Sequence, residues 1–269
     1  MQYSTFAAID IGSYDVILEI FEISKKQGIR SVDKICHRME LGKDTYTLGK
    51  IRPEMEEELC RVLADFVRIM EGYRVDDYRA TASSAISEAS NSLYVLGKIH
   101  QLTGLSVTVL SNSEQRFLSY KALAAMEDNF NKIIEKGTAI LDLDGGSFQI
   151  SLFDKDALVT TQNIRMGSLR IRERLAGIQS ETEHYEEMVE ELIWNEVSSF
   201  KKMYLKDRKI ENIMLIGDVF TDSVYQNIEE KTTKIISREN FNTWYEKIIR
   251  QSPMELAVKL GIPLENASL

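Results

Sequence analysis

Apolar and polar residues alternate over residues 3–23, and the alternation is interrupted once, at Gly12-Ser13. That pattern predicts two strands joined by a tight turn. The same arrangement returns in Ala139 to Phe153, where Asp142-Leu143-Asp144-Gly145-Gly146-Ser147 separates two apolar runs. Between these hairpins, residues 29–42 alternate as a further strand, and the polar stretch Lys43 to Ile51, with Gly49, predicts a loop. Pro53 suits the first position of a helix. Leu59, Val62, Leu63, Phe66, Val67 and Met70 give that helix one apolar face, and Gly72 ends it. A short strand is predicted in Asp76 to Ser83, a helix from Ser84 towards His100, and a strand in Leu105 to Leu110. Ser111 or Asn112 then caps a helix that runs to about Met126. After the second hairpin come a strand over Leu158 to Arg165 and a long helix over Glu181 to Lys206. Its acids lie early and its lysines late, as the helix dipole favours. A strand over Ile210 to Ile216 and helices over Arg238 to Arg250 and Pro253 to Leu260 complete the chain.

The recurrence of one strand–turn–strand unit divides the chain into two related α/β halves, residues 1–128 and 129–269. Asp10 matches Asp142, and Gly12-Ser13 matches Gly146-Ser147. Glycine lets a backbone turn sharply and lets a ligand approach its amides. A turn of N–H groups with a hydroxyl suits phosphate, and a carboxylate beside it suits Mg²⁺. Gly12, Ser13, Gly145, Gly146 and Ser147 are therefore candidate phosphate ligands, and Asp10 and Asp142 candidate metal ligands.

Composition narrows the classes. The net charge of −9 argues against a general DNA or RNA binder, and means that a polyanionic substrate needs a local basic lining or metal ions. The longest apolar runs fall far short of a membrane span, and the N-terminus has no basic segment leading into an apolar one, so a cytoplasmic location is expected. Cys36 and Cys60 lack metal-ligand spacing and read as reduced thiols.

Five segments, in order, resemble one family. They are Ala8-Ile9-Asp10-Ile11-Gly12-Ser13; Ala82-Ser83-Ser84-Ala85-Ile86-Ser87-Glu88-Ala89-Ser90-Asn91; Leu110-Ser111-Asn112-Ser113-Glu114-Gln115; Asp142 to Gln149; and Leu215-Ile216-Gly217-Asp218. The chain resembles the exopolyphosphatase / guanosine pentaphosphate phosphohydrolase (Ppx/GppA) family of the actin–sugar kinase–Hsp70 superfold. The resemblance implies two ribonuclease-H-like (actin/Hsp70-type) domains with a central cleft. It also implies Mg²⁺-dependent hydrolysis of a terminal phosphoanhydride in polyphosphate or guanosine pentaphosphate (pppGpp). The resemblance further implies that Glu114, by its position in the third segment, is the glutamate that activates the attacking water. The family also suggests a homodimer.

The chain departs from that pattern at several positions. Ser87 replaces an arginine, and a serine cannot act as a bidentate cation for phosphate. Tyr14-Asp15 replaces Asn-Ser, Asp144 a glycine, Gln149 a glutamate, and Asp218-Val219 part of a glycine-rich turn. These changes motivate a second reading, a binding protein for a nucleotide or polyphosphate without efficient turnover. A kinase of the same superfold is a third, with no acceptor motif in support.

Overall fold

The computed structural model describes residues 3–26, 28–126, 129–176, 184–206, 208–217, 237–260 and 264–267. They fall into two compact units, Met1–Arg116 and Phe117–Leu269. Each is an α/β unit built on one sheet.

The first unit begins with an antiparallel meander, β1 (Ser4–Ile11), β2 (Asp15–Ser24) and β3 (Gly28–Arg38). The helices α1 (Leu41–Leu48) and α2 (Pro53–Tyr73) follow, then β4 (Asp77–Ala82), which pairs parallel to β1. The helices α3 (Ser84–Ser87) and α4 (Ser92–Thr103) lead to β5 (Val107–Val109), so the sheet order is β3-β2-β1-β4-β5 with β3 outermost. Ala7, Ile9, Ile11, Val16, Leu18 and Ile20 point to one face of β1 and β2, where the apolar stripe of α2 covers them. The stripe is the one the 3.6-residue spacing predicts: Leu59, Val62, Leu63, Phe66 and Met70 are all buried. Burying each such side chain stabilises the unit by about 1.5–3 kcal/mol.

The second unit repeats the plan. α5 (Asn112–Met126) begins in the first unit and ends in the second, and α6 (Phe130–Ile134) follows. The meander β6 (Thr138–Leu143), β7 (Phe148–Asp154) and β8 (Ala157–Ile164) is antiparallel. After α7 (Ser168–Leu175) and α8 (Tyr185–Tyr204), β9 (Asn212–Gly217) returns parallel to β6, giving the order β8-β7-β6-β9. One face of this sheet packs Phe148, Ile150, Leu152 and Ile164 with Phe200 of α8. The other packs Ile140 and Phe153 with Phe130, Ile134 and Tyr120. The helices α9 (Arg238–Ile248), α10 (Pro253–Leu260) and α11 (Leu264–Ala267) end the described chain.

Two local expectations are corrected. Lys43 to Ile51 is not a loop throughout, since α1 occupies Leu41–Leu48. Its polar sequence hides the helix, because long-range polar bonds hold it. The buried Asp44 carboxylate accepts bonds from the Arg52 backbone N–H and Nε, both at 2.9 Å, and Thr45 Oγ1 donates to the Ala85 carbonyl at 2.7 Å. The helix expected from Ser84 is broken between Ser87 and Ser92. Asn91 uses its amide to bridge the Ile51 backbone at N and O and the Glu56 carboxylate, which draws the chain out of helical register. Among the described residues, no helix is long and apolar enough to cross a membrane.

Candidate functional site

Both hairpin turns close in the same way. Ile11 pairs with Val16 and Leu143 with Phe148, so four residues connect each pair. In the first turn Gly12 N–H donates to the Asp15 carbonyl at 2.9 Å, and in the second Asp144 N–H donates to the Ser147 carbonyl at 3.0 Å. Asp10 and Asp142 occupy the penultimate positions of β1 and β6, as their sequence match requires. The loops, however, match differently from the sequence reading. The closing bonds make Gly12 equivalent to Asp144, and Asp15 to Ser147, rather than Gly12-Ser13 to Gly146-Ser147. The glycines had suggested an alignment that backbone register overrides.

In the first unit Ser13 lies at the turn and is buried. Its hydroxyl is 2.6 Å from Tyr46 Oη and 3.2 Å from Ser84 Oγ, and those two are 2.9 Å apart. Tyr46 comes from α1 and Ser84 from the start of α3. Only the second carried a sequence signal, because the helix that presents Tyr46 was not expected. Gly42 N–H donates to the Ser13 carbonyl at 2.8 Å, and Met39 and Glu40 N–H groups both donate to the Tyr14 carbonyl at 3.0 Å. The turn is thus tied down by residues 39–46. The Asp15 carboxylate stands 3.5 Å from Arg38 Nε, whose guanidinium also lies over the Tyr14 ring at 4.3 Å. Burial pushes the Asp15 carboxyl above its ordinary range, and Arg38 opposes the shift. Asp10 is exposed, with Thr81 Oγ1 at 3.5 Å from its Oδ1.

Glu114 sits at the third position of α5. Its Oε2 accepts from Ser111 N–H at 2.9 Å and from Ser111 Oγ at 2.7 Å, while Glu114 N–H donates back to Ser111 Oγ at 3.3 Å. This is a reciprocal helix cap. The two bonds from Ser111 hold the Glu114 carboxyl below its usual range, with a smaller contribution from Arg79.

In the second unit the β6–β7 turn is gripped from behind. Arg170 donates its backbone N–H to the Gly145 carbonyl at 3.1 Å and its Nε to the Gly146 carbonyl at 2.8 Å. Gly167 permits this approach: a Cβ on it would overlap the Asp144 carbonyl oxygen and Ser147 N. Gly217, at φ 127°, passes equally close to the Leu143 carbonyl. Asp218 of the same motif, and the helical expectations that begin before Tyr185, extend outside the described residues. Gly146 and Ser147 are buried, and Gly145 is half-buried.

Asp142 is 9% exposed, and burial pushes its carboxyl above the ordinary range. Ser119 Oγ donates to its Oδ2 at 3.3 Å. Directly across the sheet, Asp142 pairs with Gln149, and Gln149 pairs with Asn163. Side chains of directly paired residues share a face. Gln149 Oε1 and Asn163 Oδ1 are buried and accept no hydrogen bond from a described residue. A buried acceptor without a donor costs about 1–3 kcal/mol. No group of three or more His, Cys, Asp or Glu side chains among the described residues is arranged to hold a metal. A hard cation held here would complete its shell with water or phosphate oxygens.

The chain's resemblance to known proteins agrees with this architecture. The Ppx/GppA phosphatase family matches residues 19–260. The bifunctional 3-dehydroquinate synthase/phosphatase of Fusobacterium nucleatum is 22% identical over 238 residues, covering 84% of this chain and 34% of that protein. Exopolyphosphatase 1 of Mycobacterium leprae is 25% identical over 144 residues, covering 53% of this chain and 41% of that one. The chain thus spans well under half the length of these curated relatives. An exopolyphosphatase crystal structure from Cytophaga hutchinsonii has the same fold, with a TM-score of 0.77 at 20% identity, over 98% of this chain and 86% of that one.

Proposed function

Because the chain belongs to the Ppx/GppA phosphatase family, we propose that it hydrolyses the terminal phosphoanhydride of polyphosphate or of guanosine pentaphosphate, with Mg²⁺. The observation that carries the reading is the duplicated hairpin, an aspartate one residue before the end of β1 and of β6, each followed by a four-residue turn closed by the same hydrogen bond. Exopolyphosphatase relatives support polyphosphate as the substrate class.

Phosphoryl transfer proceeds through a loose transition state, so positioning and charge neutralisation matter more than a strong base. Gly145, Gly146 and Ser147 would present backbone amides and a hydroxyl to phosphoryl oxygens. Arg170 holds that turn in shape and brings positive charge beside it. Gly12 and Ser13 would play the corresponding part in the first unit, with Tyr46 and Ser84 fixing the Ser13 hydroxyl. In the second unit Asp142 is the carboxylate assigned to Mg²⁺, and the unpartnered Gln149 oxygen beside it fits such an ion; Asp10 is the corresponding candidate in the first unit. When bound, Mg²⁺ would neutralise charge on the phosphoryl oxygens. Glu114 Oε1 would orient a water and accept its proton as the water oxygen bonds to the terminal phosphorus, while Ser111 holds Oε2. The bridging P–O bond breaks, and orthophosphate leaves with the shortened chain or nucleotide as the other product.

A second reading has its own observation. Asp15 stands where the second turn has Ser147, so the first turn has no hydroxyl for phosphate at that position, and its carboxylate faces Arg38 instead. This favours a ligand-binding relative with slow turnover. Phosphate release from long-chain polyphosphate and from pppGpp, with Mg²⁺ and with EDTA, separates the two. Metal-dependent release supports the hydrolase, and the faster substrate identifies its class. Binding of either compound without release supports the binding protein.

A further inference from the structure

We propose that Arg79 is a phosphate-binding cation of the first unit, which sets its guanidinium against phosphoryl oxygens beside Glu114. The proposal deepens the phosphohydrolase reading and rests on it for the substrate class.

Strand register places the residue. Along β4, Ala80 and Ala82 are buried on the face that α2 covers. Arg79 and Thr81 therefore leave the sheet on the opposite face. In register with β1, Arg79 pairs with Ala8 and Thr81 with Asp10. Thr81 Oγ1 lies 3.5 Å from Asp10 Oδ1, which puts Asp10 on that face as well. Two strand positions span about 6.5 Å, a distance that an extended arginine side chain bridges. Ala8 beside it carries only a methyl group. Glu114 is within electrostatic reach of the same guanidinium. The Ser111 bonds do most to hold its carboxyl below the usual range, and Arg79 adds to them across space without an ion pair.

The guanidinium is also uncommitted. Arg79 is exposed, and among the described residues it makes no hydrogen bond or ion pair. Its five N–H donors are left for solvent or a ligand. Two other arginines near the turn and Glu114 are already engaged. Arg38 pairs with Asp15 and covers the Tyr14 ring, and Arg116 bonds to the Asn112 carbonyl and Ser113 Oγ. Position 87 holds a serine, so α3 brings no guanidinium to this end of the sheet. A chain of net charge −9 supplies no general attraction either. A phosphoryl group arriving here would otherwise meet the carboxylates of Asp10 and Glu114 with no cation to offset them. The planar fork of an arginine matches two phosphate oxygens at once. In a loose transition state those peripheral oxygens keep their negative charge, so a cation against them stabilises it.

The test is calorimetric binding of imidotriphosphate, a non-hydrolysable analogue of tripolyphosphate, to the intact protein with Mg²⁺. Arg79→Gln should weaken binding at least about tenfold, the usual worth of a hydrogen bond to a charged group. Arg79→Lys keeps the charge without the fork and should bind between the two. Neither variant should move the thermal midpoint appreciably, because the side chain is exposed and bonded to nothing in the protein. Repeating Arg79→Gln in a Glu114→Gln background separates direct contact from an effect passed through the carboxylate. A loss that persists there supports contact with phosphate. A loss that disappears there overturns it, since Arg79 then acts only on Glu114. Wild-type affinity in folded Arg79→Gln overturns the proposal alone. Absence of imidotriphosphate binding by the wild type overturns the phosphohydrolase reading, and the proposal with it.

Discussion

Glu114 is both a helix cap and the proposed base, and one substitution separates the roles. Glutamine at the third helical position preserves the reciprocal cap with serine, because its carbonyl oxygen still accepts from Ser111. It cannot accept a proton from water. Glu114→Gln should therefore leave the thermal midpoint almost unchanged and slow phosphate release by about 10²–10⁴-fold, the usual contribution of a positioned general base. Ser111→Ala does the converse. It removes the hydroxyl part of the cap, worth about 1 kcal/mol at a typical N-terminus, and should lower the thermal midpoint, while the remaining Ser111 backbone N–H still holds Oε2 and keeps most of the rate. The pH dependence adds a check. The Ser111 bonds lower the folded-state pKa of Glu114. Its stabilising contribution is therefore fully present above the ordinary glutamate value and is lost as pH falls through the depressed one. The same ionisation would set the acid limb of the rate, which should lie below the ordinary glutamate range. Release is measured with a phosphate-binding fluorescent reporter, and stability by circular dichroism. Wild-type release by Glu114→Gln would refute the base, leaving Glu114 as a cap only.

Asp142→Asn should abolish metal-dependent release yet raise the metal-free thermal midpoint at neutral pH. Burial raises the folded-state pKa of Asp142, so its destabilising effect appears as pH rises from the unfolded value through the folded one; the gain should vanish in acid. Gly167→Ala should displace the β6–β7 turn, costing about 1–3 kcal/mol by urea denaturation, and should weaken tripolyphosphate binding measured by calorimetry. Leu63→Ala empties a fully buried position under the first sheet and should cost about 2–5 kcal/mol in the same denaturation assay.

Where order in the sequence is local, the structure follows it. The two hairpins were legible because alternation and a turn residue lie within one short window. α2 is legible because its apolar residues recur at helical spacing and that stripe makes up most of its buried face. α1 was not, because its stability comes from Asp44 reaching Arg52 and Thr45 reaching Ala85, bonds that no periodicity records. The break before α4 likewise depends on Asn91 meeting Ile51 and Glu56. The candidate site divides in the same way. Asp10, Asp142 and the glycine turns stand out as short motifs. Gln149 drew notice only as a departure from the family pattern, and Asn163 carried no signal, because its place beside Gln149 is set by the register between β7 and β8. Tyr46 was missed with the helix that carries it.

The parallel strands also set an order of assembly. Each turn lies in a meander whose strands are neighbours in sequence, so it can form soon after its own residues emerge. The strand that backs it arrives much later: Thr81 meets Asp10 at a separation of 71 residues, and Asn212 meets Thr138 at 74. Closing such long loops costs entropy before any contact repays it, so β4 and β9 should dock late. During synthesis, a nascent chain ending before Asn212 would carry the β6–β7 turn already folded into its hairpin, with the open side of β6 still lacking its partner. That unpaired edge makes the interval before β9 docks the point at which this protein most needs shielding from association with other chains.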